Sequence, residues 1–300
     1  MFGREREPEV RTLADIEQST TLARVIYIGG YGRSGSTLLE RLLTANAKVV
    51  ACGEVARHLQ RLKSTKTCSC GRRMKLCPVW NPFCNKLDSL KGWDHRRLTL
   101  AMLNHVSRDF SVMVDSSKTA WGSALMPFRL RHDLGGDFLL VHLLRDPRGV
   151  CWSTIRTLRR RKEGGPELRR CLRTVFGWMF ANLACEAFGL MHPKQYLRLR
   201  YEDVVDAPQD VLAPVFDKVA LSPSSLESLA KYDNRHQLHG NRMRFKLMSV
   251  ADLKQDLAWK SKMSQSFRWL ILVLSWPLIA RYGYLRSSRA LSRPPLASQI

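Results

Sequence analysis

A chain of 300 residues, 45% hydrophobic and 25% charged, can bury a sizeable core in one large domain or two small ones, which excludes a fibrous or wholly disordered protein. Lys and Arg number 49 against 26 Asp and Glu, a formal net charge of +23. Neither an RNP signature nor a C2H2 zinc-finger pattern accompanies that charge, so specific nucleic-acid recognition is not expected; a polyanion, an anionic membrane surface or a strongly anionic cofactor remains.

In chain order, residues 1–24 are charged and weakly periodic, and read as a loosely ordered arm. They contain no apolar stretch of the signal-peptide kind, so a cytoplasmic enzyme is expected. Strand-like runs then alternate with helical patterns. The strands are Val25–Gly29, Ser111–Val114, Phe138–Leu144 and Tyr196–Arg200; the helical patterns cover 37–46, 94–109, 147–161, 167–191 and 208–219. Phe138–Leu144 is apolar on both faces, as a central parallel strand requires. The alternation predicts an α/β fold, a three-layer α/β/α arrangement on a central parallel sheet whose ligand binds at the carboxyl ends of the strands. A Cys-rich insertion at about 65–90 and a helical region at about 250–290 complete the chain. In the latter, Trp269–Ala280 is an apolar run of twelve residues between Arg268 and Arg281, interrupted by Pro277. It falls short of the roughly 20 residues a bilayer requires. A buried terminal helix and an interfacial anchor in peripheral contact with the inner, anionic face of a membrane are the two readings.

Four of the eight cysteines, Cys68, Cys70, Cys77 and Cys84, cluster within the insertion. Their spacing lacks paired C-x2-C knuckles, leaving a structural zinc site and a single local disulfide as alternatives.

The loop after the first strand reads Gly30-Tyr31-Gly32-Arg33-Ser34-Gly35-Ser36-Thr37. A strand, a glycine-rich turn and a helix start point backbone N–H groups and the positive helix end at an anion. The usual nucleotide loop carries a lysine where Ser36 stands; here the cation is Arg33, three residues earlier. Each later strand also ends in a polar cluster: Asp115-Ser116-Ser117-Lys118, Arg145-Asp146-Pro147-Arg148 and Arg200-Tyr201-Glu202-Asp203. If the strands neighbour one another, Arg33, Lys118, Arg145 and Arg148 share one crevice, whose ligand should carry more than one phosphate-like group.

Residues 30–37 resemble the 5′-phosphosulfate loop of sulfotransferases that use 3′-phosphoadenosine-5′-phosphosulfate (PAPS), a G-x-x-[KR]-[ST]-G-[ST]-[ST] pattern. Arg145 and Ser153, eight positions apart, are similar to that family's 3′-phosphate motif. The segment ending Arg200-Tyr201-Glu202-Asp203 is similar to its strand end, whose tyrosine lies near the adenine, and His239-Gly240-Asn241-Arg242-Met243-Arg244 resembles the loop over the nucleotide's 3′ side. The likeness extends in ordered pieces from about Val25 to Tyr284, making 25–300 the sulfotransferase domain of a bacterial or carbohydrate-type branch. It implies PAPS as co-substrate, contacts from Gly32, Arg33, Ser34, Gly35, Ser36, Thr37, Arg145, Ser153, Tyr201, Asn241 and Arg244, and a carbohydrate, glycolipid or other small acceptor.

Sulfuryl transfer needs cations at the departing oxygen, for which Arg33 and Lys118 are the candidates, and a base for the acceptor proton. Glu54, in Val49-Val50-Ala51-Cys52-Gly53-Glu54, follows a turn similar to the one that carries a catalytic glutamate in carbohydrate and tyrosyl-protein sulfotransferases; a helix N-terminal carboxylate is its structural alternative. His58 is the substitute base, whereas His105 and His132 fall in helical stretches, and Trp80 and Trp121 either stack on the nucleotide or are buried. With no lysine beside Ser36, no catalytic Mg²⁺ is expected. The competing reading is a P-loop NTPase or small-molecule kinase using Mg-ATP, with Asp115 as the Mg²⁺ ligand.

Overall fold

The computed structural model describes residues 24–55, 67–85, 93–162, 165–223, 225–226, 235–237 and 250–285. The N-terminal arm up to residue 23, His58, Asn241 and Arg244 lie outside them. Five parallel strands form one sheet: β1 (Arg24–Gly29), β2 (Val49–Gly53), β3 (Val112–Asp115), β4 (Phe138–Leu144) and β5 (Tyr196–Arg200), in the order β2-β3-β1-β4-β5. β4 and β5 have the bounds the sequence predicts, β1 starts one residue earlier, and β3 is shifted one residue toward the C-terminus at both ends. β2 corrects the sequence reading, which treats Val49–Gly53 as the turn leading to Glu54. All five of its residues are buried, so it shows no alternation of polar and apolar positions to betray it.

Helices cover both faces of the sheet: α1 (Ser36–Leu43), α2 (Asn81–Asn85), α3 (His95–Val106), α4 (Met126–Leu134), α5 (Pro147–Arg160), α6 (Glu167–Met191), α7 (Tyr201–Asp206), α8 (Pro208–Lys218), α9 (Ala258–Lys262) and α10 (Gln265–Arg281). The two-residue period of the strands divides the core. Val25, Tyr27, Val50, Met113, Phe138 and Leu140 pack with α3, α4 and the Cys-rich segment. Ile26, Ile28, Val49, Val114 and Val141 pack on the opposite face against the leucines of α1 and the apolar sides of α7 and α8. The three-layer α/β/α fold follows from that division.

Two local devices position the functional edge. Asp146 caps α5, its side chain accepting from the Arg148 N–H, with Pro147 in the first turn, where its missing N–H costs nothing. Ser264 likewise caps α10 by accepting from Phe267 N–H. Among the described residues one helix, Glu167–Met191, is long and apolar enough to cross a membrane, but half of its apolar window is buried within the domain. Trp178 and Phe188 anchor it there as a core helix.

The C-terminal apolar run forms a helix with one buried side and one exposed side. Ile271, Ser275, Leu278 and Ile279 of α10 are buried against α5 and α6, while Trp269, Val273 and Trp276 are 58%, 63% and 60% exposed.

Candidate active site

Because the strands are parallel, their carboxyl ends open on one edge of the sheet. The chain steps from β1 outward to β2 and back to β3, then crosses to β4 and β5 on the other side. That reversal opens a crevice at the end of β1, where ligands of such sheets bind. The 30–37 loop occupies this point.

The loop has the geometry of an anion cradle. Gly30 and Gly35 take φ values of +104° and +99°, and Arg33 takes +73°. A side chain at Gly35 would meet the Tyr201 ring at 2.5 Å, so the glycine also allows the ring its place. Gly35 caps α1 in the left-handed conformation with no side-chain cap and no acidic residue in the first turn, leaving the positive helix end unopposed there. Ser34 Oγ is buried without a hydrogen-bond partner, and the residue is 2% exposed. A buried hydroxyl of this kind costs roughly 1–3 kcal/mol unless it is matched, which suits a site completed by a ligand.

Lys118 is the second cation with left-handed backbone, at φ +70°. Such a conformation costs about 1–2 kcal/mol for a residue with a Cβ. Its surroundings hold it: the Tyr27 hydroxyl donates to the Lys118 carbonyl, and Thr119 N–H donates to the Gly30 carbonyl at 3.2 Å while Gly30 N–H returns a bond to Thr119 Oγ1 at 3.1 Å. The Lys118 ammonium then lies 2.5 Å from Glu54 Oε1, the two side chains being 12% and 16% exposed. Thus the residues the sequence singles out as base and second cation form one ion pair at the sheet edge.

Asp115 is turned inward. Its carboxylate accepts from His95 Nε2 at 2.8 Å, from Ser117 N–H at 2.8 Å and from the Ser117 hydroxyl, and it is fully buried. It thereby organises the turn that presents Lys118, a role unlike that of a Mg²⁺ ligand.

On the other side of β1, Arg145 Nη1 donates to the Arg33 carbonyl at 2.9 Å and stacks 4.4 Å over the Tyr201 ring. Its second nitrogen donates to the Asp256 carbonyl at 3.2 Å and stands 3.6 Å from the Asp256 carboxylate. Arg156 pairs with the same carboxylate at 2.9 Å. Ser153 faces inward from α5 at 8% exposure. Arg33, Arg145 and Tyr201 therefore belong to one cluster, and Glu54 with Lys118 continues it across the Gly30–Thr119 contacts.

Arg148 requires a correction. It does not join the crevice cations, because Asp146 holds it in a paired contact at 2.7 Å, Tyr284 O accepts from it at 2.9 Å, and Trp259 stacks on it at 4.5 Å. Trp80 is fully buried and donates to the His236 carbonyl at 2.6 Å, which settles its alternative as a core residue. Glu202 accepts from Asp146 N–H at 3.3 Å and from the Tyr284 hydroxyl at 2.8 Å, a structural brace.

The cysteines are also regrouped. Sγ atoms of Cys68, Cys70 and Cys77 gather with a ring nitrogen of His236, all within 4.8 Å of one another, whereas Cys84 packs separately in the core. All of these cysteines are unpaired by disulfides.

Sequence reasoning missed Glu40. This α1 carboxyl is 1% exposed, accepts from Gly53 N–H at 2.9 Å and from the Gln237 amide, and burial pushes it up to about 8 against the pull of Lys118. A carboxylate amid the buried Leu38-Leu39 and Leu42-Leu43 positions was the available signal. His142 is a buried neutral imidazole between the Tyr196 hydroxyl (2.7 Å) and Asn182 Oδ1 (2.9 Å), held down to about 4 by burial.

Fold and edge together define an α/β protein with a phosphate-type loop, two clustered cations and an adjacent carboxylate. A sequence model described as the Sulfotransferase family matches residues 25–223, and the chain belongs to that family; it is a sulfotransferase. Among solved structures it is similar to the sulfotransferase domain of the Synechococcus PCC 7002 olefin synthase (16% identity, TM-score 0.57, 91% of this chain and 98% of that one). It is also similar to the sulfotransferase domain from the curacin biosynthetic pathway (16%, TM-score 0.54, 87% and 98%). A third likeness is to mouse sulfotransferase SULT7A1 complexed with PAP (10%, TM-score 0.50, 89% and 90%). These similarities support the fold. No curated protein sequence matches significantly.

Proposed function

We propose that this sulfotransferase transfers the sulfuryl group of PAPS to a hydroxyl or amine of a carbohydrate, glycolipid or other small acceptor by in-line displacement, with Glu54 as the base. The observation that carries this reading is the Lys118–Glu54 contact at 2.5 Å beside the loop, a proton acceptor and a cation in one place. When bound, PAPS supplies the sulfuryl group and departs as adenosine 3′,5′-bisphosphate. The partnerless Ser34 hydroxyl and the uncapped start of α1 fit its phosphosulfate.

Gly32, Arg33, Ser34, Gly35, Ser36 and Thr37 hold the phosphosulfate, Arg145 and Ser153 the 3′-phosphate, and Tyr201 borders the base; Asn241 and Arg244, outside the described residues, are assigned to the 3′ side on the sequence motif alone. As the acceptor oxygen bonds to sulfur, its proton passes to a Glu54 carboxylate oxygen. The bond to the bridging phosphate oxygen breaks with its electron pair, and Lys118 and Arg33 offset the charge growing there. Asp256 must yield the Arg145 guanidinium to the incoming phosphate. The absence of a loop lysine supports chemistry without a catalytic Mg²⁺, unlike a kinase.

Peripheral contact with an anionic membrane completes the proposal. Trp269, Val273 and Trp276 lie on one exposed stripe of α10, Arg268 and Arg281 flank it, and the chain carries +23. A glycolipid acceptor would be met at that surface. Transfer of radiolabelled sulfate from PAPS into lipid and polysaccharide fractions tests the function, and a glutamate-dependent product is the expected result.

A further inference from the structure

The cluster of Cys68, Cys70, Cys77 and His236 lies apart from the loop and the ion pair, and no step of sulfuryl transfer uses it. Cys68 and Cys77 are fully buried and His236 is 4% exposed. His236 Nδ1 faces two of the thiols, 3.2 Å from Cys77 Sγ and 3.9 Å from Cys68 Sγ. A tetrahedral zinc, with bonds of about 2.3 Å to sulfur and about 2.0 Å to nitrogen, sets neighbouring sulfur and nitrogen ligands about 3.5 Å apart. The observed separations bracket that value. We infer that Cys68, Cys70, Cys77 and His236 bind one zinc ion in a structural site of three thiolates and one imidazole nitrogen.

Chemistry favours a metal over a disulfide. A bond between any two of these sulfurs would leave a third thiol and the imidazole packed together without a partner. Three soft sulfurs and an imidazole form a closed tetrahedral set that suits zinc. The ligands also come from widely separated parts of the chain, because His236 lies 159 residues after Cys77. Such a bond ties residues 235–237 to the Cys-rich turn.

The hydrogen bonds around the cluster show what it would fix. His236 N–H donates to the Ala51 carbonyl of β2 at 2.8 Å, and Arg235 forms a parallel bridge with Ala51. Ser69, between two of the cysteines, accepts the Gln237 N–H at 2.8 Å and donates its hydroxyl to the Arg235 carbonyl at 2.7 Å. Residues 235–237 thus lie along the outer edge of β2, clamped to the Cys-rich turn. From there the Gln237 amide reaches Glu40, whose other oxygen takes the N–H of Gly53, the residue before Glu54. Zinc would anchor the strand edge from which Glu54 projects. The ion itself makes no contact with substrate in this account, so the metal site stands or falls independently of the proposed chemistry.

Metal analysis of the full chain, purified without an affinity histidine tag, tests the inference. Mass spectrometry of the wild-type protein should find about one zinc per chain, with little iron, and cobalt exchanged for zinc should give the visible bands of tetrahedral thiolate coordination. Cys70→Ser and His236→Ala should each lower zinc retention about tenfold or more, whereas Cys84→Ser should keep it. The inference is overturned if folded wild-type protein holds no zinc, carries a disulfide among Cys68, Cys70 and Cys77, or loses its metal on Cys84→Ser but not on His236→Ala. If the ligand variants do not fold, the wild-type zinc content and cobalt spectrum decide alone.

Discussion

Glu54→Gln probes the proposed chemistry with little change of shape. The amide keeps an oxygen in the position that lies 2.5 Å from the Lys118 ammonium, so an ion–dipole contact survives where the ion pair stood. What disappears is a site able to take a proton. General-base catalysis contributes about 10²–10⁴-fold, or roughly 2.7–5.4 kcal/mol at 1.36 kcal/mol per decade, and turnover should fall by that factor. Weakening the ion pair acts mainly on the enzyme without ligand. Because the pair is nearly buried, replacing a charged hydrogen bond there costs about 1–3 kcal/mol of stability, well short of unfolding a domain of this size. It leaves Lys118 with more uncompensated charge, so adenosine 3′,5′-bisphosphate should bind equally well or a few-fold more tightly. The assays are calorimetric titration with the bisphosphate and rate measurement with radiolabelled PAPS and a fractionated glycolipid and polysaccharide extract. Turnover within about threefold of wild type, far short of the general-base factor, together with intact nucleotide binding, would refute Glu54 as the base.

Four further outcomes follow from the structure. Arg145→Ala should weaken bisphosphate binding by about 1.5–3 kcal/mol, roughly 10–150-fold, through loss of a charged hydrogen bond. Asp256→Asn should strengthen it by up to about fivefold, because a partly exposed competitor for Arg145 and Arg156 is removed; titration calorimetry reads both. Glu40, pushed up to about 8 from 4.5 by burial, keeps its proton in the folded chain between those pH values while the unfolded chain has released it. Stability should therefore fall as pH rises through that window, by about 1.4 kcal/mol per unit. His142, held down to about 4, acts in the opposite direction below its ordinary 6.5, so it adds nothing to the slope between 6.5 and 8. Denaturant titrations of Glu40→Gln should lose that slope; an unchanged slope assigns it to another group. Replacing Trp269 and Trp276 together by Ser should reduce sedimentation with anionic phosphatidylglycerol vesicles, and equal sedimentation would remove α10 from the proposed membrane contact.

What the sequence revealed depended on how local each feature is. The 30–37 loop is legible because strand, glycines and helix start are consecutive, and Arg145 with Ser153 because one strand–helix junction carries both. β4 announces itself by seven consecutive buried residues, six of them apolar. β2 does not, since five buried residues with no period suit a turn or a helix as well. Arg148 reads as a site cation in the sequence, but Asp146, two residues earlier, holds it as part of the α5 cap. The remaining errors concern distant pairs. His95 joins Asp115 across 20 residues, Gln237 joins Glu40 across 197, and His236 replaces Cys84 in the thiol cluster. No periodicity encodes such contacts; the sheet order brings them together.

The central claim is that the loop, lacking its lysine, takes a phosphosulfate. Its most direct test is sulfate transfer from radiolabelled PAPS to a dialysed extract with no Mg²⁺ added, beside ATP hydrolysis with Mg²⁺. The account predicts Mg²⁺-independent transfer, inhibited by adenosine 3′,5′-bisphosphate, and no ATP turnover. Mg²⁺-dependent ATP turnover with no sulfate transfer and no bisphosphate binding would contradict it.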